Sequence, residues 1–503
     1  MKTLLLFLTV VLVIFSFPAV FFGVRMSDLS FLIWLALVPF LLSLKGLSGR
    51  QIFWRTVLCS LLFYTGVLYW VFNAVFHFGG LSVTASCLVE LFMSLGLALY
   101  CGLGIWLAHF ISKRTGFSFY AILPWTWVAQ DFGHNYFPAG GFSWANLAYT
   151  QGSSDRIVQM VDLGGPYLLT FLFVFVNAAI ARFLLEGKKG RGQLVTALLL
   201  VVATLGYGQW SLKKWEGKIR DDSQLKVALL QGNIPQDEKW LLDQGPQIEE
   251  TYRQMMQIVP EAELVIWPEA SYPYQIPITK SPFYFPTLKD SFLVPTLVGG
   301  VSSLGNSSVI YNSALLVQPG GEVSGVYHKS HLVPLGEYVP HKWFFSFVDK
   351  VVPAIGQFEA GRDQMPIEIE KGKVGVLICY EDAFPEVARV MTNRGAHLLV
   401  NMTNDAWYGD SSAPIQHLNL SRFRAIENRR AVVRATNTGL TAIIDPLGHI
   451  VSQTSLFERN ILEGSVPMEG EKSFYTRVGD LFAWIAVGVV GLLLLWKKKN
   501  STN

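Results

Sequence analysis

Apolar positions along this chain of 503 residues fall into two regimes. Over residues 1–212 they form long runs almost free of charge, whereas from about 225 to 465 they form short runs separated by Gly, Pro, Asn and Asp. A bilayer core of about 30 Å needs roughly 20 mostly apolar residues per helix. Stretches near 4–24, 29–44, 54–76, 81–111, 117–130, 163–185 and 193–212 therefore predict about seven spans, and 478–496 predicts an eighth. The 117–130 stretch is short enough for a tilted or partly re-entrant segment. The first run follows Lys2 as a secretory signal would, but it is long and lacks a small-x-small cleavage site, so it reads as the first span.

The second regime reads as α/β. Runs at 225–230, 264–266, 295–301, 314–317, 374–378, 398–401 and 440–444 predict strands, with helices between them at 244–259 and 383–395. Pro319-Gly320-Gly321 and Asp445-Pro446-Leu447-Gly448 predict hairpin turns at sheet edges. No internal repeat or low-complexity tract interrupts the pattern.

Composition sharpens this division. Only 15% of the chain is charged, against about 25% in soluble proteins. Residues 1–212 carry 12 Lys+Arg and 6 Asp+Glu, residues 213–476 carry 24 and 30, and residues 477–503 carry 4 and 1. Two cationic membrane parts thus enclose an acidic segment, a balance that speaks against a nucleic-acid surface. With the N-terminus inside, Lys45, Arg50, Arg55, Lys113, Arg114, Lys188, Lys189 and Arg191 fall in inside loops, and the outside loops hold mainly Arg25 and Arg156. Seven spans then place 213–476 outside, and the eighth returns Lys497, Lys498 and Lys499 to the cytoplasm. The expected domains are a bundle over 1–212, an α/β domain over 213–476, and a span with a Lys-rich tail over 477–503.

Glu90 lies within an apolar run. An intramembrane carboxylate is costly and points by default to function; the alternative is a hydrogen bond inside the bundle. Of the four cysteines, Cys59, Cys87 and Cys101 lie in the membrane part and read as apolar fillers. Cys379 has no partner in its domain, so no disulfide forms there. It closes the strand run at 374–378, where a sheet hands over to a loop, and reads either as a packing residue or as a nucleophile.

Two other patterns bear on that choice. In Ile266-Trp267-Pro268-Glu269-Ala270-Ser271 a carboxylate follows a strand and a proline, the position of a general base. In Tyr327-His328-Lys329-Ser330-His331-Leu332-Val333-Pro334-Leu335-Gly336-Glu337-Tyr338 a lysine and a second carboxylate flank a turn. Glutamate, lysine and cysteine together supply the proton acceptor, the positive charge and the nucleophile of acyl transfer through a thioester.

In the order Glu–Lys–Cys these motifs resemble the nitrilase, or carbon–nitrogen hydrolase, superfamily, and the joined architecture of spans, outer domain and final span resembles its apolipoprotein N-acyltransferase branch. Gln231-Gly232-Asn233-Ile234-Pro235 leading to Trp240, Gly336-Glu337-Tyr338-Val339-Pro340, Cys379-Tyr380-Glu381 and Asn404-Asp405-Ala406-Trp407-Tyr408-Gly409 fit the same branch. The resemblance implies a membrane α-helical bundle plus an extramembrane nitrilase-like αββα sandwich. It implies Glu269 as base, Lys329 near the oxyanion and Cys379 as nucleophile. Glu337 would support the triad, Tyr380 and Glu381 would shape the pocket, and the Tyr380 amide would help the oxyanion. Trp240 and Trp407 would lie near the acyl chain or the cysteine loop. The implied reaction moves an acyl group from a membrane phospholipid to the α-amino group of a diacylglyceryl-cysteine at an apolipoprotein N-terminus, at the bilayer of a bacterial inner membrane and on its outer face.

Phe344 and Phe345, in an apolar loop after the lysine motif, are expected either to dip into headgroups over the site or to pack on their own domain. One stretch departs from the branch. Its members tend to carry an arginine before Gly-Phe-Pro-Trp, whereas here Gly141-Phe142-Ser143-Trp144 has serine for proline, with Gln130, Asp131 and His134 on the approach. No cofactor is expected, and no metal, because His328 and His331 sit inside the lysine motif without a carboxylate ligand set. The rival readings are a membrane-tethered amidase or nitrilase acting on a soluble amide, and a transporter whose outer domain only binds ligand.

Overall fold

A computed structural model describes all residues except 22, 27, 139, 153, 222, 240, 242, 260, 280–281, 306, 340–357, 469 and 497–503, and the side chains of 220 and 221. The chain forms two compact units, one comprising Met1–Phe72, Ser82–Leu212 and Val478–Asn503, the other Asn73–Leu81 and Lys213–Arg477.

The first unit is helical. Among the described residues three helices are long and apolar enough to cross a membrane: Gly49–Leu68, Val83–Thr115 and a kinked Val161–Ile219. Shorter apolar helices cover Lys2–Ser16, Ser30–Ser43 and Leu481–Leu495, and Phe119–His134 is also helical. The first predicted run does not stay helical to residue 24. Its helix stops at Ser16 because Pro18 disfavours helical geometry at Phe17, and the short antiparallel strands β1 (Val20–Phe21) and β2 (Val24–Arg25) follow. Ser48 caps the Gly49 helix in a reciprocal capping box with Gln51.

Where the 30–43 segment breaks between Ala36 and Val38, the freed backbone groups find a side chain. Asn177 accepts from the Leu37 amide and donates to the Ile33 carbonyl, both at 2.9 Å. In an apolar medium such groups require an internal partner. Glu90 is likewise satisfied within the bundle, accepting from Ser94 Oγ at 2.7 Å. Cys59 and Cys101 are buried fillers, whereas Cys87 is exposed on the helix surface, so the filler reading does not hold for it.

The second unit is α/β. Its strands are β3 (Gln224–Gln231), β4 (Leu264–Ile266), β5 (Ile276–Ile278), β6 (Thr296–Leu304), β7 (Ile310–Val317), β8 (Val323–His328), β9 (Ile367–Ile369), β10 (Gly372–Ile378), β11 (Leu398–Thr403), β12 (Ala431–Thr436), β13 (Ala442–Ile444), β14 (Ile450–Gln453) and β15 (Asn460–Pro467). One sheet runs β15-β3-β4-β6-β7-β8, with β5 paired to β6; the other runs β14-β13-β12-β11-β10-β9. Parallel pairings join β3, β4 and β6 in the first sheet and β10, β11 and β12 in the second. Both predicted hairpins form, between β7 and β8 and between β13 and β14.

The amphipathic helix Gly245–Gln257 buries Ile248, Tyr252, Met255 and Met256 against the first sheet, where Tyr252 stacks on Trp267 at 4.2 Å. The helices Pro385–Asn393 and Ala413–Asn428 pack on the second sheet. The result is an αββα arrangement. Between the sheets, Gln231 Oε1 in β3 accepts the hydroxyls of Thr441 at 2.6 Å, Thr454 at 2.7 Å and Thr436 at 3.3 Å. Each polar group of this contact is therefore paired, as burial demands.

Candidate active site

Three loops leaving β4, β8 and β10 carry the predicted residues, and each holds one non-glycine residue at positive φ: Ala270 at 45°, Leu335 at 63° and Cys379 at 52°. That region is sterically costly for an L-residue and is held in place by surrounding contacts. The turn bearing Glu269 lies directly on β6. A Cβ at Gly299 would come within 2.0 Å of the Pro268 carbonyl oxygen, so only glycine admits this approach.

Glu269 is buried. Its Oε1 accepts from Asn312 Nδ2 at 2.7 Å and Lys329 Nζ at 3.3 Å, and its Oε2 from the Asn404 amide at 3.1 Å. Lys329 is 1% exposed and also donates to Glu337 Oε1 at 2.9 Å. Glu337 is oriented in turn by Asn312 Nδ2 at 3.0 Å and by the Val333 amide at 2.8 Å. Burial works against the Lys329 charge, but Glu337 and Glu269 outweigh it and hold the ammonium protonated well above the ordinary lysine range.

Cys379 is 6% exposed. Burial, reinforced by the Glu269 charge and only partly offset by Lys329, pushes its thiol well above the ordinary cysteine range. The resting sulfur is therefore a thiol, and any attack by it would first need a base to take its proton.

Glu381 joins the two sheets. Its Oε1 accepts from the Tyr327 hydroxyl, the Ser330 amide and the Ser330 hydroxyl, each at 2.7 Å, and from the His331 amide at 3.1 Å; its Oε2 accepts from the Ile378 amide at 2.7 Å. The lysine loop and the cysteine turn are thus tied through one carboxylate. Tyr380 is buried and meets Phe384 edge-on at 5.0 Å.

Of the remaining predicted residues, Trp407 is 38% exposed and meets Phe78 edge-on at 5.5 Å. Asn73 Nδ2 reaches the Tyr408 carbonyl at 3.4 Å, and 73–81, read from sequence as the end of the 54–76 span and the start of the next at 81, belongs to the α/β unit instead. Trp240, Phe344 and Phe345 lie outside the described residues.

Several residues at the site escape sequence reasoning. Asn312 bridges the two carboxylates. Lys239 donates to the Glu269 carbonyl at 3.0 Å, and burial lowers its pKa to about 8, against the pull of Glu269. A charge cluster lies behind the cysteine: His417 is 2.8 Å from both Asp382 and Asp405, and Arg434 pairs with Asp405 at 2.7 Å and with Asp382 at 3.3 Å. All four side chains are fully buried. An arginine inside the otherwise apolar run of β12 was the available signal, since a charge is almost never fully buried unpaired.

The arrangement defines a class, a carbon–nitrogen hydrolase fold whose loops converge a carboxylate, a lysine and a cysteine. Residues 226–474 match the carbon-nitrogen hydrolase family model, and residues 8–179 match the apolipoprotein N-acyltransferase N-terminal domain. An apolipoprotein N-acyltransferase of Geobacter metallireducens is 35% identical over 97% of this chain and 94% of its own length. One of Vibrio vulnificus is 30% identical over 92% of each. The solved structure of Saccharomyces cerevisiae Nit3, a member of branch 10 of the nitrilase superfamily, aligns with 51% of this chain and 94% of its own at TM-score 0.38 and 22% identity. The chain belongs to the apolipoprotein N-acyltransferase family, and its activity is N-acyl transfer in lipoprotein maturation.

Proposed function

We propose that the transfer runs through a thioester on Cys379. Glu269 takes the thiol proton as sulfur attacks the ester carbonyl of a phospholipid, and Lys329 Nζ faces the developing oxyanion. As the tetrahedral intermediate collapses, the carbon–oxygen bond to glycerol breaks, Glu269 returns the proton to the leaving oxygen, and lysophospholipid departs. The amine of the diacylglyceryl-cysteine then attacks the thioester and gives a proton to Glu269. The carbon–sulfur bond breaks, the thiol is regenerated, and the acceptor carries an amide. The observation that supports this reading most is the buried pair of Glu269 and Lys329 at 3.3 Å, both electrostatically coupled to Cys379. Glu337 keeps Lys329 in place, and Tyr380 and Glu381 shape the cysteine turn.

The membrane arrangement belongs to the same reading. Eight spans, with 1–212 as the bundle, 213–476 as the outer catalytic domain and 477–503 as the last span and tail, keep enzyme and both lipid substrates on one surface. Asymmetry of Lys and Arg between alternate loops supports an outer catalytic face. Trp240, Trp407, Phe344 and Phe345 are assigned to the acyl chain or the headgroup boundary.

Rapid mixing with labelled phospholipid, acceptor omitted, tests the order of steps. A burst of one lysophospholipid per enzyme is expected, followed by arrest until acceptor is added. Lysophospholipid release only after acceptor addition contradicts the two-step scheme.

A further inference from the structure

The charge cluster behind Cys379 has a direct line to the reaction through one peptide plane. The Cys379 carbonyl oxygen lies 3.3 Å from Asn401 Nδ2 and 3.3 Å from His417 Nε2. The His417 ring is fixed from both ends, with Nδ1 2.8 Å from Asp405 Oδ1 and Nε2 2.8 Å from Asp382 Oδ1. Nε2 must carry a proton to donate to the Cys379 carbonyl, whereas Nδ1 faces both the Asp405 carboxylate and the Arg434 guanidinium. Arg434 Nη2, 2.8 Å from Nδ1, donates to Asp405 Oδ2 at 2.7 Å, and Arg434 Nη1 donates to Asn401 Oδ1 at 2.5 Å. Ser421 Oγ donates to Asp382 Oδ2 at 2.5 Å. Burial and Arg434 work against a charge on His417, but Asp382 and Asp405 raise its pKa above the ordinary histidine value.

The Cys379–Tyr380 peptide is trans, and in a planar trans peptide the C=O and N–H point in opposite directions. Holding the carbonyl toward Asn401 and His417 therefore aims the Tyr380 N–H away from them. A hydrogen bond accepted by a peptide carbonyl also strengthens the donor on the same plane.

We propose that His417 and Asn401 are positioning residues for acyl transfer: they fix the Cys379–Tyr380 peptide plane so that the Tyr380 amide serves, beside Lys329 Nζ, as a donor to the oxyanion. The inference rests on Cys379 being the nucleophile. It gives the buried cluster a kinetic role beyond supporting the strained turn, and it makes that role specific to steps in which a carbonyl oxygen acquires charge.

Two rates on the same full-length enzyme in phospholipid-containing micelles separate this role from a structural one. Acylation by phospholipid passes through an oxyanion; alkylation of the Cys379 thiol by iodoacetamide displaces iodide and does not. His417→Ala is expected to slow acylation about 100-fold and Asn401→Ala about 10-fold, within or just below the range for loss of one oxyanion donor. Alkylation should stay within about 3-fold of the parent in both. His417→Gln, which keeps an N–H near the Nε2 position, is expected to regain about 10-fold in acylation over His417→Ala. Parallel loss of acylation and alkylation overturns the proposal, as does unchanged acylation in both alanine variants. If His417→Ala does not fold, Asn401→Ala decides by the same ratio. Parent enzyme that is alkylated at Cys379 yet still transfers acyl groups would instead remove the nucleophile assignment.

Discussion

In the sheet containing β4 and β8, the charges of the site face one another directly: Lys329 lies between Glu269 and Glu337 at 3.3 and 2.9 Å. In the sheet containing β10, the charges lie behind the backbone of Cys379, the proposed nucleophile: Asp382, Asp405, His417 and Arg434 pair with one another and reach Cys379 through its carbonyl. In the proposed mechanism the first sheet supplies the groups that exchange protons or meet developing charge. The second supplies a rigid, strained platform for the sulfur. Charge in the first is expected to govern rate, and charge in the second to govern both stability and the geometry of the turn.

Substitutions that separate rate from stability sharpen this contrast. Glu269→Gln keeps the side-chain shape and leaves Lys329 paired with Glu337, so acyl transfer should fall about 1000-fold while the unfolding temperature in detergent hardly moves; the expected loss is within the range for a general base. A large drop in unfolding temperature would show that the first sheet also depends on its charges for stability. Arg434→Met leaves Asp382 and Asp405 facing each other across His417 with one cation fewer. Breaking a buried pair from one side costs about 3–5 kcal/mol, so thermal unfolding should shift strongly downward. An unchanged transition would contradict the platform reading.

Acid should act on the second sheet through Asp405. Burial alone would raise its pKa, but Arg434 and His417 bring it down to about 2 from the ordinary 3.8. A carboxylate held low in the fold contributes stability that is fully present above the unfolded value and is lost as pH falls through the folded one. Of order 2 kcal/mol should therefore disappear between about pH 4 and pH 2. Comparison of the parent with Asp405→Asn over that window measures it, and identical acid profiles would contradict the assignment. The smallest effect is expected at the junction of the sheets. Tyr327→Phe removes one of the four donors on Glu381 Oε1, which should cost about 1 kcal/mol and slow transfer only a few-fold; a loss as large as that of Glu269→Gln would place Tyr327 in the chemistry itself.

How far the sequence disclosed this division follows the same line. The seven predicted strands of the α/β domain all form because each is a short apolar run with turn residues at its ends, and Glu269, Lys329 and Cys379 stand out as polar residues where such runs stop. The short or half-exposed strands β5, β9 and β15 went unread, and so did elements whose polar side chains are buried. β12 escapes notice because Arg434 interrupts its apolar run. The helix Ala413–Asn428 reads as a polar segment, yet its Gln416, His417, Asn419, Ser421, Arg424 and Glu427 are all buried. Their partners come from Asp382, Asp405 and the ends of other strands, distant in sequence, so periodicity carries no trace of them. Asn312 is similar: one asparagine in a strand gains meaning only when two carboxylates meet on it. In the helical unit the apolar runs located the helices, but the pattern did not reveal that the first ends before Pro18; nor did it reveal that 74–78, at the end of the 54–76 run, forms a π-turn and belongs to the α/β unit.

The central claim is that the sulfur of Cys379 carries the acyl group between the two lipids. Intact-mass and peptide mass spectrometry after incubation with a phospholipid of one defined acyl chain, without acceptor, test it most directly. A fatty-acyl mass on the peptide containing Cys379, removed by neutral hydroxylamine and absent from Cys379→Ala, is predicted. An unmodified Cys379 in enzyme that then transfers the acyl group at the parent rate, or full activity retained in Cys379→Ala, would contradict it.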